Sequence, residues 1–245
     1  SGSGLVTGVA AGSPNITYTV TGTGGCSDAT DTYAVTVTGT IATVGTGNWN
    51  DASNWGSGIV PTAGQDVTVL HDITVNTNTA DLGNLTVNSG VTLSIGAYIV
   101  SVDGTYDATG GNTTFTGAGT LKLSGTVTDL GTFTKATNCT VEYDGGNQTV
   151  AALSGSPVSN SYYNLVINGT DTKTLAGTSR IDGDLTLTAS TFDLSNKTIY
   201  PKANITTSSG SITASGSATI TFNNSASHII AGINSSNITL KTITS

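Results

Sequence analysis

Four tetrapeptides constrain this chain more than any other feature: Asn84-Leu-Thr-Val, Asn164-Leu-Val-Ile, Asp184-Leu-Thr-Leu and Asn204-Ile-Thr-Thr, whose starts are 80, 20 and 20 residues apart. Leu121-Lys-Leu and Val141-Glu-Tyr repeat the interval of 20, and Gly104-Thr-Tyr and Gly125-Thr-Val lie 21 apart. Within the units apolar and hydroxyl residues alternate at period two, as in strands with one buried side. A constant period of this size without a helical pattern is the signature of a solenoid. One coil is too small to bury its aliphatic pair and does so by stacking on the next.

The expected fold class is therefore all-β, a parallel β-helix over residues 67–245. At about 20 residues per coil and about 4.8 Å between strands, this stretch makes about nine coils and a rod of about 40 Å. Leu85, Leu165, Leu185 and Ile205 are expected in one file of core side chains. Asn and Gly at fixed positions are expected to take left-handed turns, and stacked Asn or Thr side chains to form hydrogen-bonded ladders. A string of antiparallel sandwiches competes, because strands every 8 to 12 residues also fit it. It gives no reason for tetrapeptides to recur in register.

Composition supports the strands. The chain has no Met, four Phe and two Trp, so core volume must come from Val, Leu, Ile and Ala beside Thr and Ser. Small β-branched side chains suit pleated strands better than helix faces. Fourteen Asp and one Glu oppose seven Lys plus Arg, for a net charge of -8. Phosphate binding needs clustered cations, so a nucleic-acid partner is not expected. No apolar run reaches the length of a membrane span, and no charged-then-apolar signal segment opens the chain. The expectation is a soluble polypeptide that is processed or a fragment.

Residues 46–66 separate two textures. They hold both tryptophans, in Gly47-Asn-Trp49-Asn-Asp-Ala-Ser-Asn-Trp55, followed by Val60-Pro61. An open terminal coil exposes unpaired backbone and apolar side chains, and Trp49, Trp55 and Pro61 are expected to cap it. Before this junction, residues 1–45 read as half-buried antiparallel strands at Leu5-Val-Thr-Gly-Val, Ile16-Thr-Tyr-Thr-Val-Thr and Tyr33-Ala-Val-Thr-Val-Thr, with turn formers from Gly22 to Asp28. Cys26 and Cys139 fall on opposite sides of the junction. They pair only if the fold doubles back; otherwise Cys139 is a buried thiol and the partner of Cys26 lies outside this chain.

Ser3-Gly-Leu-Val-Thr-Gly-Val-Ala-Ala-Gly with Ile16-Thr-Tyr-Thr-Val resembles the second half of a bacterial group 2 immunoglobulin-like domain, the tandem module of bacterial adhesins. The resemblance implies a partial Ig-like β-sandwich over residues 1–45. A full sandwich needs about seven strands and about 100 residues, so the missing half implies either a piece of a larger surface protein or strands supplied by a neighbour. The Gly-x-Trp-x5-Trp, Val-Pro, Asp66-Val-Thr-Val pattern resembles the start of β-helical passenger and surface-repeat proteins of bacterial adhesins, including those exported by Bacteroidota. Together the two imply an extracellular, cell-surface location.

Polysaccharide lyases and hydrolases also use parallel β-helices, and their chemistry needs a base with carboxylates on neighbouring coils. The residues that answer to this are Arg180, Asp182, Asp184 and Lys202. Asp182-Gly-Asp184 and Asp144-Gly-Gly-Asn147 read more simply as polar turns. Tyr143, Tyr162 and Tyr163 are weak candidates for glycan contact against a packing role. His71 and His228 have no second ligand at metal spacing, and no Gly-x-Ser-x-Gly elbow is present. Thr-x-Thr pairs at Thr36, Thr172 and Thr186 suggest a water-ordering face, but no long file of them assembles from sequence. Asn-x-Ser/Thr sequons follow from composition alone. The expected function is non-enzymatic: a rod-like stalk or fibre subunit of a large bacterial surface protein, with no cofactor or metal. Its expected partners are further copies of itself, or other surface proteins or glycans. A carbohydrate-binding or carbohydrate-degrading module is the alternative.

Overall fold

A computed structural model describes residues 15–35, 40–153, 160–222, 233 and 238–242. From Ile41 onward, strands of two to five residues are joined by tight turns, and the chain winds into a three-faced parallel solenoid of about seven turns. Alternation drives the winding. In Leu85–Val87, Thr92–Ile95 and Thr120–Leu123 every second side chain is buried, so each strand has an inward apolar row and an outward hydroxyl row.

The long face contains seven strands, from Asp81–Leu82 to Ile205–Thr207. Its register runs Val100↔Leu121↔Val141↔Leu165↔Leu185↔Ile205, and all six side chains are fully buried. Burying each contributes about 1.5 to 3 kcal/mol relative to exposure. Leu165, Leu185 and Ile205 thus form the file expected of them. Leu85 does not join it. It pairs with Val67 and Tyr106 on the second face, in the file Ile41↔Val67↔Leu85↔Tyr106↔Val127. The cause is unequal coil length: register partners are 20 residues apart at Leu165 and Leu185, 21 at Val100 and Leu121, and 24 at Val141 and Leu165.

The second face runs as five strands, Ile41–Ala42 to Val127–Asp129, and then four, Gln148–Val150 to Ser211–Thr213. No ladder pairing joins Val127–Asp129 to Gln148–Val150 among the described residues, and a groove of about 380 Å³ lined by Thr126, Val127, Gln148, Thr149 and Thr174 marks the break. The third face is also split. Gly47–Asn48 to Thr132–Thr134 form five strands and Ser179–Ile181 to Ile238–Thr242 form four. Tyr162 bridges the gap, its ring tilted against Phe133 with centroids 6.0 Å apart, and it pairs with Ile181.

The recurring Asn and Asp do not take left-handed turns. Their side chains accept main-chain N–H groups from the next coil: Asp66 from Asn84 (2.7 Å), Asn84 from Thr105 (2.7 Å), Asn164 from Asp184 (3.0 Å) and Asp184 from Asn204 (3.0 Å). Among the described residues the left-handed positions are glycines together with Asn138, Asp171 and Ser195. At Gly169, φ is +75° and a Cβ would lie 2.0 Å from the Asp144 carbonyl oxygen, so only glycine fits.

Two boundaries shift from expectation. The parallel ladder starts with Ile41↔Val67, so residues 41–66 make up the first coil instead of a separate junction. Among the described residues of 1–45, Asn15–Val20 and Ala29–Ala34 form one antiparallel hairpin with mostly exposed side chains, and an Ig-like sandwich is not shown. Leu5-Val-Thr-Gly-Val and Thr36-Val-Thr38 lie outside the described residues. In the solenoid the ladders are parallel, and antiparallel pairing is confined to Thr43↔Trp55 among the described residues.

Candidate functional site

The densest polar cluster lies where the third face breaks, and it contains three of the four residues expected to carry chemistry. Asp182 follows the strand Ser179–Ile181. Its carboxylate receives Lys135 Nζ at 2.5 Å, Arg180 Nε at 2.7 Å, Lys202 Nζ at 3.2 Å and Ser161 Oγ at 3.0 Å. Lys135 Nζ also donates to Ser161 Oγ. Lys202 lies one coil beyond Asp182, and Lys135 and Ser161 lie on the two preceding coils. One carboxylate therefore ties four successive coils across the gap that main-chain pairing leaves open. Burial alone would raise the Asp182 pKa, but the hydrogen bonds from Lys135, Arg180, Ser161 and Lys202 outweigh it and hold the group well below the usual carboxylate range. A carboxylate held that far down stays ionised near neutral pH and is a poor proton donor or acceptor there. The cluster is built for cross-linking.

Asp184 does not meet Asp182. Its side chain belongs to the Asn/Asp ladder described above, and Gly183 between them leaves room for Tyr163, where a Cβ would come within 2.8 Å of the ring. Asp144 pairs with Lys122 at 2.8 Å and accepts from Ser124 at 2.7 Å, while Asn147 accepts from the Thr172 N–H at 3.1 Å. Both motifs are structural turns. No group of three or more His, Cys, Asp or Glu gathers among the described residues.

Tyr143 and Tyr162 cannot offer a platform to a sugar, because both are fully buried. Their hydroxyls lie 3.3 Å apart, and the Ala151 N–H donates to Tyr143 while Tyr162 donates to the Ala151 carbonyl. Desolvation pushes the Tyr143 hydroxyl up to about 12 and that of Tyr162 well above its ordinary value. Tyr163 is half-buried against the core.

The first coil holds the aromatic pair. Trp49 and Trp55 are buried edge to face, with ring centroids 4.8 Å apart, and Trp55 Nε1 donates to the Trp49 carbonyl at 2.8 Å. Asp51 caps a single 3-10 turn, Ala52–Asn54, that reverses the chain. The reversed segment then bonds the outer edge of Ile41–Ala42, through Val44 N–H to Asn54 O and Gly56 N–H to Ala42 O. That pairing covers backbone which would otherwise be an open edge. Pro61 is buried, and His71 Nδ1 lies 3.3 Å from Thr43 Oγ1. His228 lies outside the described residues.

Sequence reasoning missed Lys173. It occupies an inward position, stacked between Gln148 and Phe192, and is fully buried. Its ammonium donates to Gly145 O at 2.7 Å, Thr170 O at 2.6 Å and Ser190 Oγ at 3.3 Å. Burial lowers its pKa, and the nearby charges of Asp171 and Asp144 only partly offset that. The signal was present: in Thr172-Lys-Thr-Leu175, period two puts Lys173 on the side of Leu175. Cys26 is exposed and Cys139 buried, and both are free thiols, so they do not pair with each other. No helix among the described residues is long and apolar enough to cross a membrane.

Comparison of the chain with protein-family models, with curated proteins and with solved structures finds no match.

Proposed function

We propose that the chain is a non-enzymatic structural or adhesive segment of a large extracellular, bacterial surface protein, acting as a stalk or fibre subunit. The observation that carries this reading is the long face, seven parallel strands in unbroken register over one continuous core file. Such a stack distributes stability over many nearly equivalent interfaces and extends in one direction only. Seven strands at about 4.8 Å give about 30 Å of axial length. The Asp182 cross-links and the tryptophan pair add stiffness where main-chain pairing stops. The partners of such a segment are further copies of itself or neighbouring surface proteins and glycans.

Negative-stain electron microscopy of the purified chain, with an assay of sugar release from uronate polysaccharides, tests the reading. Short uniform rods or filaments without sugar release are expected. Cleavage that disappears in Asp182→Asn would replace the proposal with a polysaccharide-degrading module.

A further inference from the structure

The outward side of the third face, in its N-terminal half, carries two ranks of short polar side chains. The inner register of this sheet has no shift over its strands, unlike the neighbouring face, which slips between Tyr106 and Asp107. One rank is Thr92↔Asn112↔Thr132, begun by Asp72, whose carboxylate accepts the Thr92 N–H. The other is Thr74↔Ser94↔Thr114↔Thr134. Beneath them Ile73, Leu93, Ile95, Phe115 and Phe133 are buried, so the ranks stand on a packed base.

Parallel stacking sets about 4.8 Å between neighbours in a rank, and two residues of strand set about 6.6 Å between ranks. Threonine side chains are stiff at χ1, which fixes each hydroxyl and each methyl. The hydroxyls of Thr74, Ser94, Thr114, Thr132 and Thr134 have no hydrogen-bond partner among the described residues. Apart from Asp72, which begins one rank, and Lys135, which follows Thr134 and is held by Asp182, charge is placed elsewhere: Asp81, Lys122 and Glu142 point outward on the long face, and Asp107 and Asp129 are on the second. The third face in this half has no Lys, Arg or Glu in its strands.

We infer that this face binds the surface of crystalline water. A lattice of hydroxyls beside methyls in unshifted register, with one carboxylate at its edge, offers hydrogen bonds at fixed intervals and apolar groups around which water orders. Only a partner with its own fixed lattice gains from contacts repeated over four coils; a dissolved molecule gains from one or two. A sugar polymer is recognised largely by stacking on aromatic rings, and this face presents none outward. The inference goes beyond the stalk reading, which needs no ice and stands if this fails.

The test is ice recrystallisation in frozen solutions of the whole chain, of Thr114→Tyr at the centre of the face, and of Thr186→Tyr on the long face as control. The unaltered chain and T186Y are expected to suppress crystal growth. T114Y should need about tenfold more protein, because adjacent contacts act together. Should circular dichroism show T114Y unfolded, Thr134→Tyr at the end of the rank takes its place. Absence of suppression by the unaltered chain, or equal suppression by T114Y, overturns the inference. Retention on crystalline cellulose that is lost in T114Y, without any effect on ice, also overturns it in favour of a glycan face.

Discussion

At the scale of single residues, two buried ionisable sets govern how stability responds to pH. Asp182 has a depressed pKa, so its contribution is complete above the unfolded carboxylate value of about 3.9 and is lost as pH falls through the folded value. Its side chain is 14% exposed and those of its cations 19 to 40%, so solvent screens each pair. Asp182→Asn should cost about 1 to 3 kcal/mol at pH 7, less than a fully buried ion pair would. Thermal melts should show this difference shrinking below about pH 4; a difference that persists unchanged at pH 2 would contradict the account. At the alkaline end Tyr106, Tyr143 and Tyr162 have raised values, chiefly from burial. Their contribution is complete below the unfolded value of about 10, and each then loses about 1.4 kcal/mol per pH unit as the unfolded chain ionises. Lys173 has a lowered value and acts the other way, adding stability as pH rises, but only up to its unfolded value of 10.5. Three groups outweigh one. Ultraviolet titration should find these three of the eight tyrosines ionising only as strand structure is lost.

At the scale of elements, the question is what ends a stack of strands and what keeps its register. Trp55 closes the first coil by packing on Trp49 while its neighbours pair with the outer edge of Ile41–Ala42. Trp55→Ala should destabilise the chain by about 3 to 5 kcal/mol and expose an edge that promotes self-association. Light scattering of W55A against the unaltered chain reads this directly, and a variant with the same size distribution as the unaltered chain would show that the segment is not a cap. Much of this level was legible in the sequence. The period of 20 gave away the solenoid because stacked coils must be nearly equal in length, and the Trp-rich interval betrayed an end because it breaks that period. Leu85 was misplaced for the same reason: a separation of 80 divides by 20, yet the intervening coils are of unequal length, so the coincidence says nothing of register. Asp182 with Lys202 could be read from one-coil spacing. Lys135, 47 residues from Asp182 and across the longer coil, could not. The buried tyrosines were half legible, since aromatics in strands usually pack, but which rows turn inward depends on where each coil slips.

At the scale of the molecule, the faces divide the labour. The long face provides continuity, the two split faces are held by side chains where ladders stop, and the outward hydroxyl ranks give half of the third face a regular lattice of short side chains. Outside the four coils that Asp182 ties together, each described coil contacts chiefly its neighbours, so coils can yield singly. The central claim, a stack of parallel coils whose stability is spread over coil-to-coil interfaces, is tested most directly by pulling the chain from its two ends in a single-molecule force experiment. The account predicts a series of rupture events, those outside the Asp182 cluster each releasing one coil of about 20 residues and lengthening the chain by about 60 to 70 Å. A single event releasing the whole length at once, or extension with no periodic steps, would contradict it.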